Sequence, residues 1–444
     1  MEIEKGAGKL AKTLRLLIPD KPGYLGRVAS AIGMGGSNIG DIRIVRIGLT
    51  HNSREMTIYV DSEAHLESIL SNIIAIDGVV IEEVIDLVHQ IHEGGKIAVK
   101  GTHPIRSIND IRKIYTPGVA AICRDIHQDP QLARKYTAIG NQVAIVTNGT
   151  AILGLGDIGA VAGMPVMEGK AALFEHFVGI SGMPILIQSH DPRVIIDTVK
   201  NIAPTFGAIK LEDIAAPECF VIEDELDDAL DIPVLHDDQH GTAVVVLAAL
   251  LNAARLSRRN LADDSIGVIG LGAAGMGISK LLLAYGAKTV IGTDLKESAK
   301  EMLVAAGGQA GSLDDVMSKA HIIVATTGVP GLIKPEMVRP EQIILALSNP
   351  NPEIDPELAI QAGAAFAADG KSVNNALGFP GIFRGALNMR VSRIDHTMLI
   401  AAAEAIAACA EATEIVPSIL HPDVHRLVTE AVESAALRSG LARV

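Results

Sequence analysis

The tightest constraint on this chain is the run Gly270-Leu271-Gly272-Ala273-Ala274-Gly275, directly after an apolar strand pattern at Ser265–Ile269. Glycines in that spacing permit a sharp turn and bring the free N–H groups of a helix start close to an anion. Ile278, Leu281 and Leu282 follow at positions that can face a sheet, and a second strand pattern ends at Asp294. That acid lies about twenty residues beyond the last glycine, where a carboxylate can reach a ribose 2′-hydroxyl. A lone glycine run says little; strand, glycines, helix, strand and acid in order point to a bound dinucleotide. The cofactor candidates are therefore Gly270, Gly272, Ala273, Ala274, Gly275 and Asp294. Asp294 favours NAD, because a carboxylate repels a 2′-phosphate, and Lys296 beside it keeps NADP as the alternative.

The same alternation runs through the chain from Lys96 onward. Short apolar strands are expected at Val143–Val146, Pro184–Ile187, Ala208–Leu211, Ile232–Leu235, Ser265–Ile269, Thr289–Ile291, His321–Ala325 and Ile343–Leu347, with amphipathic helices between several of them. Fully apolar strands separated by helices imply parallel sheets covered on both faces. Ahead of them, Thr13–Ile18, Ile42–Ile47, Met56–Val60 and Val79–Leu87 read as strands. Two helical stripes, Leu25/Val28/Ala29/Ile32 and Leu66/Ile69/Leu70/Ile73, complete a βαββαβ order. The expected fold class is α/β: a ferredoxin-like domain over 1–92, an α/β catalytic domain over 93–240, and a Rossmann-type dinucleotide domain with C-terminal helices over 241–444. His92-Glu93-Gly94-Gly95 reads as a linker.

Composition narrows the partners. Fifty-two acidic residues against thirty-eight basic ones give a net charge of −14, which argues against nucleic acid and against an anionic membrane surface. The longest apolar run, Ala243–Leu251, is too short to span a bilayer, and the Met1–Leu10 start has no apolar signal core. Cys123, Cys219 and Cys409 form no disulfide framework and no paired metal motif. A cytoplasmic location is expected.

Two acid pairs stand just past strands, Glu212-Asp213 and Asp237-Asp238. Side by side they would repel unless a cation neutralised them, and an all-oxygen set suits Mg²⁺ or Mn²⁺. Taken singly, each has a plainer reading, a loop for the first and a helix cap for the second. Tyr115, ahead of Thr116-Pro117-Gly118, is expected at a rigid helix start. Lys170 stands where Glu168-Gly169 gives way to an apolar helical run. Asn349 follows a strand, and Asn375 sits in a polar loop before Gly378 and Pro380. Each of these four alone is an ordinary surface or turn residue.

Taken together and in order, the stretches Tyr115–Ala120, Leu153–Asp157, Glu168–Lys170, Leu211–Asp213, His236–Ala243, Leu347–Pro350 and Asn374–Gly381 resemble the malic enzyme family in its short bacterial form. The resemblance covers about 97–387. It implies that Glu212, Asp213 and Asp238 ligate a divalent metal and that Asp237 pairs with Lys170. Lys170 would accept the C2-hydroxyl proton of malate, Tyr115 would protonate C3 after loss of CO₂, and Asn349 and Asn375 would hold substrate carboxylate and cofactor ribose. One position departs: the arginine that longer members carry before the Ile152–Asp157 stretch is Ala151 here. No motif separates a malic from a malolactic outcome, and a regulatory protein with a dead catalytic body is the rival of another class. Asp20-Lys21-Pro22-Gly23-Tyr24-Leu25 resembles the ACT domain, which implies either a small-molecule effector near Asp20–Leu25 and Asn38 or a purely structural dimerisation unit. The resemblance also implies a homodimer or higher homo-oligomer.

Overall fold

The structure is a computed structural model that describes residues 10–152 and 154–444; the opening nine residues and Leu153 of the Leu153–Asp157 stretch lie outside the described residues. The chain separates into two compact units, Met1–Ala98 and Val99–Val444.

In the first unit, strands β1 (Leu10–Pro19), β2 (Ile39–Arg46), β3 (His51–Val60) and β4 (Val80–Asp86) form an antiparallel sheet in the order β2-β3-β1-β4. Helices Tyr24–Met34 and Glu63–Ile74 connect them, so the order is βαββαβ. The alternation along β1 and β3 sends Leu14, Leu16, Ile18, Met56, Ile58 and Val60 to one face, where they close a core with Val28, Ile32, Ile69 and Ile73. Asp20 is held just past β1 by Asn52 Nδ2 at 2.9 Å, and Gly23 takes φ +90°, a value that favours glycine, before the first helix. The expected His92–Gly95 linker follows a further short helix, Leu87–His92.

The second unit holds two parallel sheets. One runs β6-β5-β7-β8, from β5 (Gln142–Thr147), β6 (Ser181–Leu186), β7 (Ala208–Leu211) and β8 (Val234–His236). The other runs β11-β10-β9-β12-β13-β14, from β9 (Ser265–Ile269), β10 (Thr289–Thr293), β11 (Gln309–Ala310), β12 (Ile322–Ala325), β13 (Ile343–Ala346) and β14 (Phe366–Asp369). In order of succession that is 3-2-1-4-5-6, the doubly wound dinucleotide topology. The two-residue β11 and the alanine-bearing β14 carry too little β-branched or aromatic side chain to announce themselves in the sequence.

A buried helix, Asp237–Leu256, starts at the end of β8 and leads to β9. It runs through the expected 240/241 boundary, so the acid pair at its first turn and the dinucleotide sheet are joined by one continuous element. The apolar Ala243–Leu251 run is the interior of this helix, and no helix among the described residues is long and apolar enough to cross a membrane.

Candidate active site

Strands β7 and β8 are neighbours in register, with Leu211 opposite His236. The residues that follow each strand therefore emerge at one sheet edge, the carboxyl end where α/β sheets bind ligands. Carboxylate oxygens of Glu212, Asp213 and Asp238 lie within 4.8 Å of one another. Asp213 adopts φ +53°, uncommon for a residue with a Cβ, and Asp238 Oδ2 accepts its backbone N–H at 2.8 Å. Asp213 Oδ2 is buried without a hydrogen-bond partner. Burial, with Asp238 beside it, pushes the Asp213 carboxyl up to about 7. A buried acid with an unpartnered oxygen among other acids is the arrangement a hard divalent cation relieves, so these residues fit Mg²⁺ or Mn²⁺.

Lys170 lies within the helix Met164–Val178, which begins earlier than the glycine at 169 suggests because Pro165 occupies its first turn. Its Nζ donates to Asp237 Oδ2 at 2.7 Å and Asn375 Oδ1 at 3.1 Å, and stands 3.0 Å from Glu212 Oε1. Asn375 Nδ2 donates to the same Asp237 oxygen at 2.8 Å. Asp237 is fully buried in the first turn of its helix rather than capping it. Burial works against its charge, but the ammoniums of Lys170 and Lys210 outweigh that and hold its carboxyl below the usual range.

Lys210 is the residue that sequence reasoning missed. It sits inside β7, fully buried, paired with Glu212 and 2.9 Å from Asp237, with the Phe379 ring 4.7 Å away; Lys170 lies 4.9 Å from the same ring. The available signal was a lone charge in an otherwise apolar parallel strand, Ala208-Ile209-Lys210-Leu211, since lysine is almost never fully buried unless paired. Glu223 was missed too: it accepts from His236 N at 2.6 Å and Gln239 Nε2 at 2.8 Å and meets His240 Nε2 at 3.0 Å, fixing the start of the acid-bearing helix.

Tyr115 is not part of this cluster. It ends the helix Ile108–Ile114 instead of starting the next, which begins at Val119, and it is 69% exposed. Among the described residues its side chain has no hydrogen bond or ring contact. Neither flanking helix buries a residue, so among the described residues nothing covers this segment. At the departure Ala151, the backbone N–H donates to the Asp213 carbonyl at 3.0 Å, against the acid cluster but without a cationic side chain.

The glycine turn has room for a cofactor. Gly270 takes φ +90° against the backbone of Thr326, a Cβ on Gly275 would collide with the Gly270 carbonyl, and a Cβ on Gly272 would meet open space. Helix Ala273–Tyr285 begins there. Asp294 accepts from Leu271 N at 2.7 Å and Lys296 N at 2.8 Å, which anchors its carboxylate at the turn. Asn349 lies past β13, exposed, with its carbonyl facing Gly154 and its amide facing Gly370; among the described residues Lys170 hydrogen-bonds Asp237 and Asn375 and not Asn349. Its loop is braced by buried Glu353, which accepts from Ser348 Oγ at 2.5 Å and Thr327 N at 2.7 Å.

Two family models match the chain: Malic enzyme, N-terminal domain, over residues 95–227, and Malic enzyme, NAD binding domain, over residues 239–308 and 365–438. NAD-dependent malic enzyme 1 of Bacillus subtilis is 55% identical over 433 residues, 97% of this chain and 99% of the relative. The NAD-dependent malic enzyme of Geobacillus stearothermophilus is 41% identical, over 99% of this chain and 97% of its own. The crystal structure of malic enzyme from Pyrococcus horikoshii superposes with a TM-score of 0.75 at 42% identity, covering 79% of this chain and 88% of that one.

Proposed function

Because this chain belongs to the malic enzyme family, we propose that it oxidises and decarboxylates malate to pyruvate and CO₂ with reduction of NAD, in a divalent-metal-dependent reaction. The observation that carries the reading is Lys170, 2.7 Å from Asp237 and 3.0 Å from Glu212 at the edge of the acid cluster.

Glu212, Asp213 and Asp238 would hold the metal, which supplies Lewis acidity at the C2 oxygen and carboxylate of malate. Gly270, Gly272, Ala273, Ala274, Gly275 and Asp294 would hold NAD, which would supply the hydride acceptor. Lys170 Nζ, in the transiently neutral form that a neighbouring cation would favour, takes the C2-hydroxyl proton; Asp237 and Asn375 orient that amine, and Asp237 stabilises it once it is charged. Asn349 and Asn375 would hold the substrate carboxylate and the cofactor ribose. Tyr115, exposed and outside the cluster in the single chain, would return a proton to C3 once assembly of the homo-oligomer brings it to a site. We assign 1–92 to a regulatory ACT-like domain with an effector near Asp20–Leu25 and Asn38, 93–240 to catalysis and 241–444 to NAD binding.

The protein acts as a homodimer or higher homo-oligomer in the cytoplasm. Supporting the first, Ile105, Ile108, Ile111 and Ile114 leave an apolar face beside Tyr115 uncovered; supporting the second, all three cysteines are free thiols. The test supplies purified protein with malate, Mn²⁺ and NAD or NADP, and quantifies NADH or NADPH, pyruvate and lactate. Equal NADH and pyruvate are expected. Lactate without net NADH would assign the malolactic reaction, and Lys170→Ala with undiminished turnover would overturn the mechanism.

A further inference from the structure

Away from the acid cluster, three guanidinium groups converge on one surface cavity. Arg134, Arg390 and Arg443 line a space of about 310 Å³ with Gln131 and a single carboxylate, Asp231. The elements that bring them together are unrelated in sequence. Arg134 lies on the short helix Ala133–Tyr136, Asp231 precedes β8, and Arg390 ends the helix Phe379–Met389. Arg443 is pinned beside Arg390 by its backbone N–H, which donates to the Met389 carbonyl at 2.9 Å.

The charges do not balance. Arg443 Nη1 meets Asp231 Oδ1 at 2.7 Å, which accounts for the one acid. The side chains of Arg134 and Arg390 have no hydrogen bond or ion pair among the described residues. Two guanidiniums without an acid partner thus gather beside a third in a chain of net charge −14, and like charges brought together repel. Burial and the charges of Arg390 and Arg443 pull the Arg134 guanidinium below its usual value, so the three lie close enough to repel.

Arg390 also occupies the wrong backbone for its type. It takes φ +50°, ψ +38° at a helix C-terminus, the left-handed position where glycine is the default. A side chain kept there against that preference is explained if the guanidinium is used. A second cavity of about 310 Å³ shares Gln131, Arg134 and Asp231 and adds Lys200 over an apolar floor that includes Phe206 and Ile139.

We propose that Arg134, Arg390 and Arg443 form a binding site for a small polyanion, a metabolite carrying two or more phosphate or carboxylate groups, separate from the catalytic centre. The planar fork of each guanidinium pairs two N–H donors with such an oxyanion, and the anion removes the mutual repulsion of the three. The head sits among the arginines, and the neighbouring cavity takes the rest of the molecule.

Calorimetric titration of the metal-free full-length protein with inorganic pyrophosphate, and separately with citrate, tests this at physiological ionic strength. At least one probe should bind saturably and one to one, with saturating NAD leaving the affinity unchanged; which probe binds tells phosphate from carboxylate. Arg390→Gly should weaken binding by about tenfold or more while its melting temperature stays equal or rises, since glycine suits the left-handed position. Arg134→Gln should weaken binding similarly, and malate turnover without the anion should be unchanged in both variants. No saturable binding of either probe, displacement by NAD, or unaltered affinity in both variants would overturn the site.

Discussion

In the N-terminal sheet Lys12 donates to Glu63 and Asp86, each at 2.8 Å; in the catalytic sheet Lys210 meets Glu212 and Asp237. Both lysines are buried and both face two carboxylates, but their charges fare differently. Asp86 and Glu63 hold the Lys12 ammonium above its usual value, outweighing burial. Complete burial, with Lys170 adding its own positive charge, pulls Lys210 down to about 7 in spite of Asp237. Glu63 is 67% exposed and shares its field with water, whereas neither carboxylate around Lys210 has that outlet. An ion cluster at a wet edge consolidates a fold; the same ingredients sealed in at a strand end are held out of balance, as active sites are.

The largest expected effect belongs to the sealed cluster. Lys170→Met should lower kcat by about 10²- to 10⁴-fold, the usual worth of a positioned proton acceptor, while thermal unfolding shifts little. A loss under about tenfold would erase the functional half of the contrast. Next, Mn²⁺ at about a hundred times its Kd should stabilise the protein by about 2.7 kcal/mol, and Glu212→Gln should abolish that gain in a melting assay. A surviving gain would remove the metal from this site.

The two lysines should then diverge with pH. Lys210 has a folded value near 7, below the unfolded value, so the unfolded chain binds more protons between about 7 and 10.5. Its contribution to stability therefore rises with pH across that window, by at most about 1.4 kcal/mol per unit. Lys12, raised in the fold, contributes fully below about 10.5 and loses its contribution above. Urea unfolding of wild type against Lys210→Met and Lys12→Met, from neutral to alkaline pH, should give a rising difference for the first and a level one for the second; parallel curves would break the comparison. The smallest effect is Lys12→Met itself, about 1 kcal/mol at neutral pH with kcat unchanged.

The parallel-sheet architecture was legible because β5, β7, β9, β12 and β13 are short apolar runs punctuated by turn residues, and the dinucleotide turn because Gly270 and Gly275 are sterically required. The closeness of Glu212, Asp213 and Asp238 follows from one fact the sequence does not print, that β7 and β8 are adjacent. Lys210 escaped because its pairing partners lie on β8's helix and at its own strand end, and burial is a property of the assembled sheet. Tyr115 read as part of a rigid helix start, but Gly118 and the turn before it separate two helices that the described residues do not cover.

The helix Asp237–Leu256 packs against the helix that opens from the glycine turn, and the contact is close: a Cβ on Gly277 would press into the backbone of Gln239. Gln239 immediately follows Asp238. One rod thus carries the acid side chains at its tip and rests, within a turn of that tip, on the helix that opens at the glycine turn. The spacing between the acid-bearing helix and the helix at the glycine turn is gauged by bare backbone on backbone, so a methyl group at 277 would act as a shim between the two.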